Sequence, residues 1–150
     1  MNEAYTPEIT AAEPTLSGRP RLKISPHQSG FSNTVGPFYE VRLDTGMRRA
    51  LALESRHLNP EGVVHTGVIA SFADFALQRA ICDEIGQEQR FAPVTLNLQF
   101  LSAAKSGIWL YGEGIMLRRT RELIFANGEL FTNERSIATV SGVWKLQAQA

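Results

Sequence analysis

Between His57 and Asp74 the chain gathers most of the side chains that could do chemistry. His57, Asn59, Gly62, His65, Thr66 and Gly67 stand in one short run, and Asp74 follows seven positions after Gly67. Pro60 and Gly62 keep the first part of this run from being helical. Asp74 lies in a different setting. Val68, Ile69, Ala70, Phe72, Ala73, Phe75, Ala76, Leu77, Ala80, Ile81 and Ile85 surround it at positions that point in every direction around a helix. A helix apolar on all sides must be buried, and a carboxylate in its middle is costly without a partner. Asp74 is therefore the residue to explain.

A helix advances about 100° and 1.5 Å per residue, which puts Gly67, Ser71, Asp74 and Gln78 within about 60° of one another. They form one polar line on an otherwise apolar cylinder, and such a line needs a polar counterpart: a ligand, a sheet residue or the same line on another subunit. The helix start offers a second feature. Its first N–H groups lack intrahelical partners and carry the positive end of the helix dipole. Thr66 is suited to cap that end and Gly67 to let a ligand approach it. A carbonyl oxygen that becomes negative during acyl transfer would be stabilised there. Yet Gly67 and Asp74 are about 10 Å apart along the helix, too far for one reacting carbon. If both take part, the site combines the helix start of one subunit with Asp74 of another, and a twofold axis would create it twice.

The elements that must position these residues follow from patterning. Residues 1–30 read as a flexible N-terminal tail or arm, interrupted by Pro7, Pro14, Pro20 and Pro26, with His27 solvated; residues 31–150 read as one domain. Phe38–Leu43 and Arg48–Ser55 alternate as strands around the turn Asp44-Thr45-Gly46. The helix is expected from about Gly67 to Ile85, ended by Gly86. Sheet follows: Val94–Phe100, Ile108–Arg118, a hairpin turning at Asn127-Gly128, and Ser136–Leu146 with Val140, Gly142, Trp144 and Leu146 on one face. The order is β-β-α-β-β-β, an α+β chain whose antiparallel sheet of about six strands wraps around one long central helix.

The totals narrow the classes. At 150 residues, with 15 basic and 15 acidic side chains, nothing suggests a nucleic-acid or membrane-surface partner. No run of about 18 apolar residues is long enough for a membrane span, and no basic-then-apolar leader opens the chain, so a cytoplasmic protein is expected. One cysteine, Cys82, forms no intrachain disulfide or cysteine-based zinc cage. Three histidines without an acidic pair at ligand spacing predict no metal site; His57 and His65 are expected to hold the loop by hydrogen bonds.

The pattern His57-x-Asn59-x-x-Gly62-x-x-His65-Thr66-Gly67, with Phe72-Ala73-Asp74 after it, resembles the signature of hotdog-fold acyl-CoA thioesterases of the PaaI-like, phenylacetate-degradation type. The resemblance runs from about Phe38 to Leu146, including Val94–Ala104 as the strand after the helix and Leu117–Phe125 as a segment near the coenzyme. It implies a hotdog fold, hydrolysis of an acyl-CoA thioester, and a homodimer or homotetramer (a dimer of dimers) with sites between subunits. By position it implies that Asp74 activates or orients water, that the Thr66 or Gly67 amide polarises the carbonyl, that Asn59 lies near the thioester, and that His65 shapes the site. Gly62, in the same loop, is expected with Arg118, Arg119 and Arg121 to bind the substrate's coenzyme A, the arginines meeting its phosphates. No cofactor is implied, since coenzyme A is part of the substrate.

Two departures stand out. Thr66 replaces the first glycine of the family's H-G-G, bringing a β-branched residue that resists positive φ. Arg119-Thr120-Arg121 occupies a turn where the family often has glycine. A non-catalytic acyl-CoA-binding protein of the same fold is the alternative that Thr66 favours. A hotdog hydratase or dehydratase fits less well, because positions 57 and 62 carry His and Gly where that class has Asp and His.

Overall fold

The structure, a computed structural model of the chain, describes residues 15–16, 19–20, 22–28 and 30–148. Two short strands, β1 (Thr15–Leu16) and β2 (Arg19–Pro20), pair with each other. Then come β3 (Leu22–Ile24), α1 (Phe31–Val35), β4 (Phe38–Leu43) and β5 (Gly46–Ala52). A single 3-10 turn at Ser55–His57 leads into the loop and α2 (Thr66–Ile85). Four long strands complete the chain: β6 (Phe91–Phe100), β7 (Trp109–Arg119), β8 (Leu123–Phe131) and β9 (Ser136–Leu146).

Seven strands form one antiparallel sheet in the order β3-β4-β5-β7-β8-β9-β6. The strand beyond the expected six is β3, from the stretch read as tail; Leu22 pairs with Val41 and Ile24 with Tyr39. Too few apolar residues surround β3 for its alternation to show in sequence. Most of the remaining tail lies outside the described residues.

α2 crosses one face of the sheet, mainly over β7 and β8. Ile69, Phe72, Ala73, Ala76, Leu77 and Ile81 are buried there against Leu110, Ile124, Leu130 and Trp144. Glycines bring the two layers close. A Cβ on Gly112 would stand 2.8 Å from the Ala76 methyl, and one on Gly114 2.9 Å from that of Ala80. Small residues on both sides thus let backbone meet backbone, which long side chains would forbid.

The expected turn at Asn127-Gly128 does not exist. β8 runs straight through it, with Asn127 paired to Ile115 and Ser141, and the chain turns after Phe131 instead. The physical reason is again packing: a side chain on Gly128 would collide with Leu77 of α2. A glycine needed for close approach looked like a glycine needed for a turn.

The helix is also less enclosed than its composition suggests. The sheet covers one side, while Gly67 is exposed and Ala70, Ser71, Asp74 and Gln78 are half-buried. The polar line therefore faces away from the core. On the far side of the sheet, Tyr39, Val41, Ala50, Ala52, Trp109 and Tyr111 form a second buried cluster. Among the described residues no helix is long and apolar enough to cross a membrane.

Candidate active site

The loop before α2 is built by its own polar groups. The Asn59 side-chain oxygen accepts the N–H of Glu61 at 3.0 Å and of Val63 at 3.2 Å, and the Asn59 N–H donates to the Val63 carbonyl at 2.8 Å. Gly62 sits at φ 80, where glycine alone is unstrained. Leu58 and Val64 close the loop with a single bridge. Asn59 thus spends its carbonyl on folding the loop and keeps only its amide NH2 for a ligand.

His57 is buried at 3% exposure and acts as a clamp. Its Nδ1 accepts the Glu54 N–H at 3.0 Å, and its Nε2 lies 2.8 Å from the Val35 carbonyl oxygen. An acceptor at Nδ1 and a carbonyl at Nε2 fix the neutral ring with its proton on Nε2. Burial pushes the pKa below the ordinary histidine value, against the opposing pull of the Val35 carbonyl. The His57 carbonyl also accepts the His65 N–H at 2.8 Å, so the clamp reaches the helix start.

At that start the expected cap is displaced by one residue. His65, not Thr66, is the N-cap, with its Nδ1 accepting the Gly67 N–H at 2.8 Å. A Cβ on Gly67 would come within 2.9 Å of that Nδ1, so the glycine serves the imidazole cap. Thr66 is the first helical residue, and its helical backbone removes the strain expected of a β-branched residue at positive φ. The N–H groups of Val68 and Ile69 both turn to the His65 carbonyl. Among the described residues, the Thr66 N–H is left without an acceptor. One exposed donor therefore remains at the positive end of α2.

Asp74 stands in a groove of about 500 Å³ on the open side of α2. Its Oδ2 accepts the Gln78 amide N–H at 2.9 Å, while Oδ1 is shielded from solvent and has no hydrogen-bond partner. Ser71 on the same line donates to the Gly67 carbonyl at 2.7 Å. Phe38, Phe75 and Leu96 supply apolar walls, and Pro93 and Leu96 place one side of the groove on β6. A carboxylate beside apolar walls, steadied through one oxygen by Gln78, is the base that this groove offers.

The structure brings Asn59, Gly62, His65, Thr66 and Gly67 together and leaves Asp74 apart from them, farther along α2 in its groove. Arg118 and Arg119 end β7 and Arg121 follows in the turn, all exposed and outside that groove. Thr120 organises their turn: its hydroxyl oxygen accepts the Leu123 N–H at 2.9 Å. Among the described residues no cluster of His, Cys, Asp and Glu is suited to a metal ion.

Sequence reasoning missed the residues on the other rim. His27, Phe31 and Ser32 line the groove, from a stretch read as tail or left without an element. Arg79 and Cys82 line it too. Arg79 is unexpectedly buried, donating to the Gln87 side chain at 2.7 Å and lying 3.7 Å from the Glu40 carboxylate. Beside it Arg49 makes a two-pronged pair with Asp83 at 2.7 and 2.9 Å. An arginine inside an apolar helical pattern was the available signal.

An antiparallel sheet wrapped on one face around a single long helix is the hotdog fold, the architecture of thioester hydrolases. The model of the thioesterase superfamily matches residues 61–139, and the chain belongs to that family. A protein of Pseudomonas aeruginosa that bears a provisional esterase name is 31% identical over 114 residues, spanning 75% of this chain and 84% of its own. Among solved structures, the Escherichia coli PaaI protein of the phenylacetic acid degradation operon superposes with a TM-score of 0.68 at 14% identity, covering 79% of this chain and 85% of its own. A Bacillus halodurans protein solved with CoA gives 0.64 at 18% identity, covering 71% and 70%.

Proposed function

We propose that the protein hydrolyses acyl-CoA thioesters at a site shared between two subunits, with Asp74 of one and the start of α2 of the other. The observation that carries this reading is the pair of unfilled valences on one helix: the free Thr66 N–H and the unpartnered Asp74 Oδ1. They are separated by more than about 10 Å of helix, so they serve one carbonyl only if they come from different copies.

The sheet edge supports such an assembly. β6 is ten residues long and pairs with β9 alone, leaving its outer edge without a partner among the described residues. Val94 and Phe100 on it are 59% and 49% exposed. A long apolar edge strand is a template for another strand, and a second copy fits it about a twofold axis. Because Pro93 and Leu96 of β6 also wall the Asp74 groove, pairing there brings a partner to the groove mouth. The CoA seen with the Bacillus halodurans relative supports a coenzyme A thioester as the substrate class.

In this mechanism a water held by Asp74 attacks the thioester carbonyl carbon as the carboxylate takes its proton. The carbonyl oxygen gains negative charge and is held by the partner's Thr66 N–H at the helix dipole's positive end. Collapse of the tetrahedral intermediate re-forms the carbonyl and breaks the C–S bond; the thiolate leaves and takes up the proton. Gln78 orients the Asp74 carboxylate through Oδ2.

Release of free coenzyme A, followed with a thiol reagent across acyl-CoAs of different length, tests the reading. Turnover in the wild type, lost in Asp74→Ala and Asp74→Asn, supports it. Equal turnover in wild type and both variants contradicts it, and coenzyme binding without turnover would favour a non-catalytic acyl-CoA-binding protein.

A further inference from the structure

We infer that α1 is the wall of the groove that selects the acyl group, with Phe31 as the side chain that closes on a bulky apolar acyl chain; this rests on the thioesterase reading above. Phe31 is 69% exposed, yet it lines the same groove as Asp74. A phenyl ring that exposed adds little to the fold, and a ring at a ligand groove gains its burial from the ligand.

α1 is tied down at both of its ends. At its C-terminal end, the Arg56 guanidinium donates to the carbonyls of Thr34, Val35 and Gly36, and the His57 ring donates to Val35. Those four bonds tie this end to the loop that leads into α2. The other end starts at Gly30, with φ 55 and no side-chain cap, and Phe31 is the first helical residue. Just before that start, the Gln28 side chain donates to the Ser25 and Phe38 carbonyls and accepts the Phe38 N–H, so α1 is held on both sides and presents the Phe31 ring to the groove. Phe38 and Phe75 line the same groove, their rings 4.5 Å apart, so an acyl group lying against them shares the groove with Phe31.

A benzoyl or hexanoyl group offers apolar surface for that ring to cover, whereas an acetyl group offers little. Phe31 should therefore discriminate between acyl groups and leave the chemistry at Asp74 untouched. The test measures calorimetric binding of benzoyl-CoA and acetyl-CoA to the Asp74→Ala protein, with and without Phe31→Ala and Phe31→Leu. Turnover of both substrates by Phe31→Ala in the otherwise wild-type chain runs alongside. The expected result is about a tenfold loss of benzoyl-CoA affinity in Phe31→Ala, a smaller loss in Phe31→Leu, and a change below about twofold for acetyl-CoA. In turnover the loss appears in KM, with kcat preserved. Equal effects on both ligands, no effect on either, or loss of the dimer in Phe31→Ala would overturn the inference. Selective binding by the Asp74→Ala protein, with no turnover of any acyl-CoA by the wild type, would leave Phe31 as the selector and overturn the hydrolase reading alone. Binding of neither ligand would overturn both.

Discussion

His65 Nδ1 accepts the Gly67 N–H at 2.8 Å, and that bond decides which amide at the start of α2 is free. The next two N–H groups turn to the His65 carbonyl, so Thr66 carries the available donor. The threonine that departs from the family's glycine keeps the one group the mechanism asks of it.

Proline at position 66 isolates this donor. Proline is well tolerated at the first helical position, and His65, at φ -59 and ψ 134, already has the extended backbone that a residue before proline prefers. Thr66→Pro is expected to keep its melting temperature close to the wild type and to lose about 10²–10³ in kcat. Full activity with an intact fold would show that the Thr66 amide does not hold the oxyanion.

The cap itself is testable by a double-mutant cycle. Gly67→Ala would place a Cβ 2.9 Å from the His65 Nδ1 and push the ring away; His65→Ala removes the acceptor. Each change should cost about 1 kcal/mol of stability by denaturant unfolding. The double variant should cost little more than either single one, because both remove the same bond. Additive losses would mean that Gly67 is constrained by something other than His65.

The His57 clamp gives the fold a pH dependence. Its folded-state pKa is depressed, so below the ordinary value of 6.5 the unfolded chain binds a proton that the native ring refuses. Stability that is present above that pH is therefore lost as the pH falls below it, by at most about 1.4 kcal/mol per pH unit from this one group. Thermal melts from pH 7.5 to 5 should show a steeper decline in the wild type than in His57→Gln. Parallel curves would place the titrating group elsewhere.

Gly128 tests the close approach of helix and sheet. Gly128→Val must displace Leu77 or β8 itself, and is expected to destabilise the protein by about 1–3 kcal/mol. Leu77→Ala in the same chain should recover part of the loss by making room. If Gly128→Val alone is neutral, the packing argument for the missing turn fails.

The contrast between Asp74 and Gly128 shows what patterning can and cannot reveal. Asp74 was legible because one carboxylate broke an apolar helical period, and helix geometry alone separated it from Gly67. The strands around Val94–Phe100 and Ser136–Leu146 were legible from alternation in the same way. Gly128 was misread because Asn-Gly has the same local chemistry whether it serves a turn or a close approach, and only α2 decides which. β3 and α1 escaped notice for another reason: Leu22–Ile24 and Phe31–Val35 are too short for a period to register, and they are held by Val41, Arg56 and His57 from elsewhere in the chain. The N-cap was misplaced by one residue because an imidazole did the work more often done by a hydroxyl.

The central claim is that Asp74 and the Thr66 amide meet across a subunit boundary, and mixing two inactive proteins tests it most directly. Asp74→Ala subunits keep the helix start, and Thr66→Pro subunits keep the carboxylate. Unfolded together and refolded, they should form mixed dimers in about half of all cases, each with one intact site, so activity should return to about a quarter of the wild type. A mixture no more active than either variant alone would contradict the shared site.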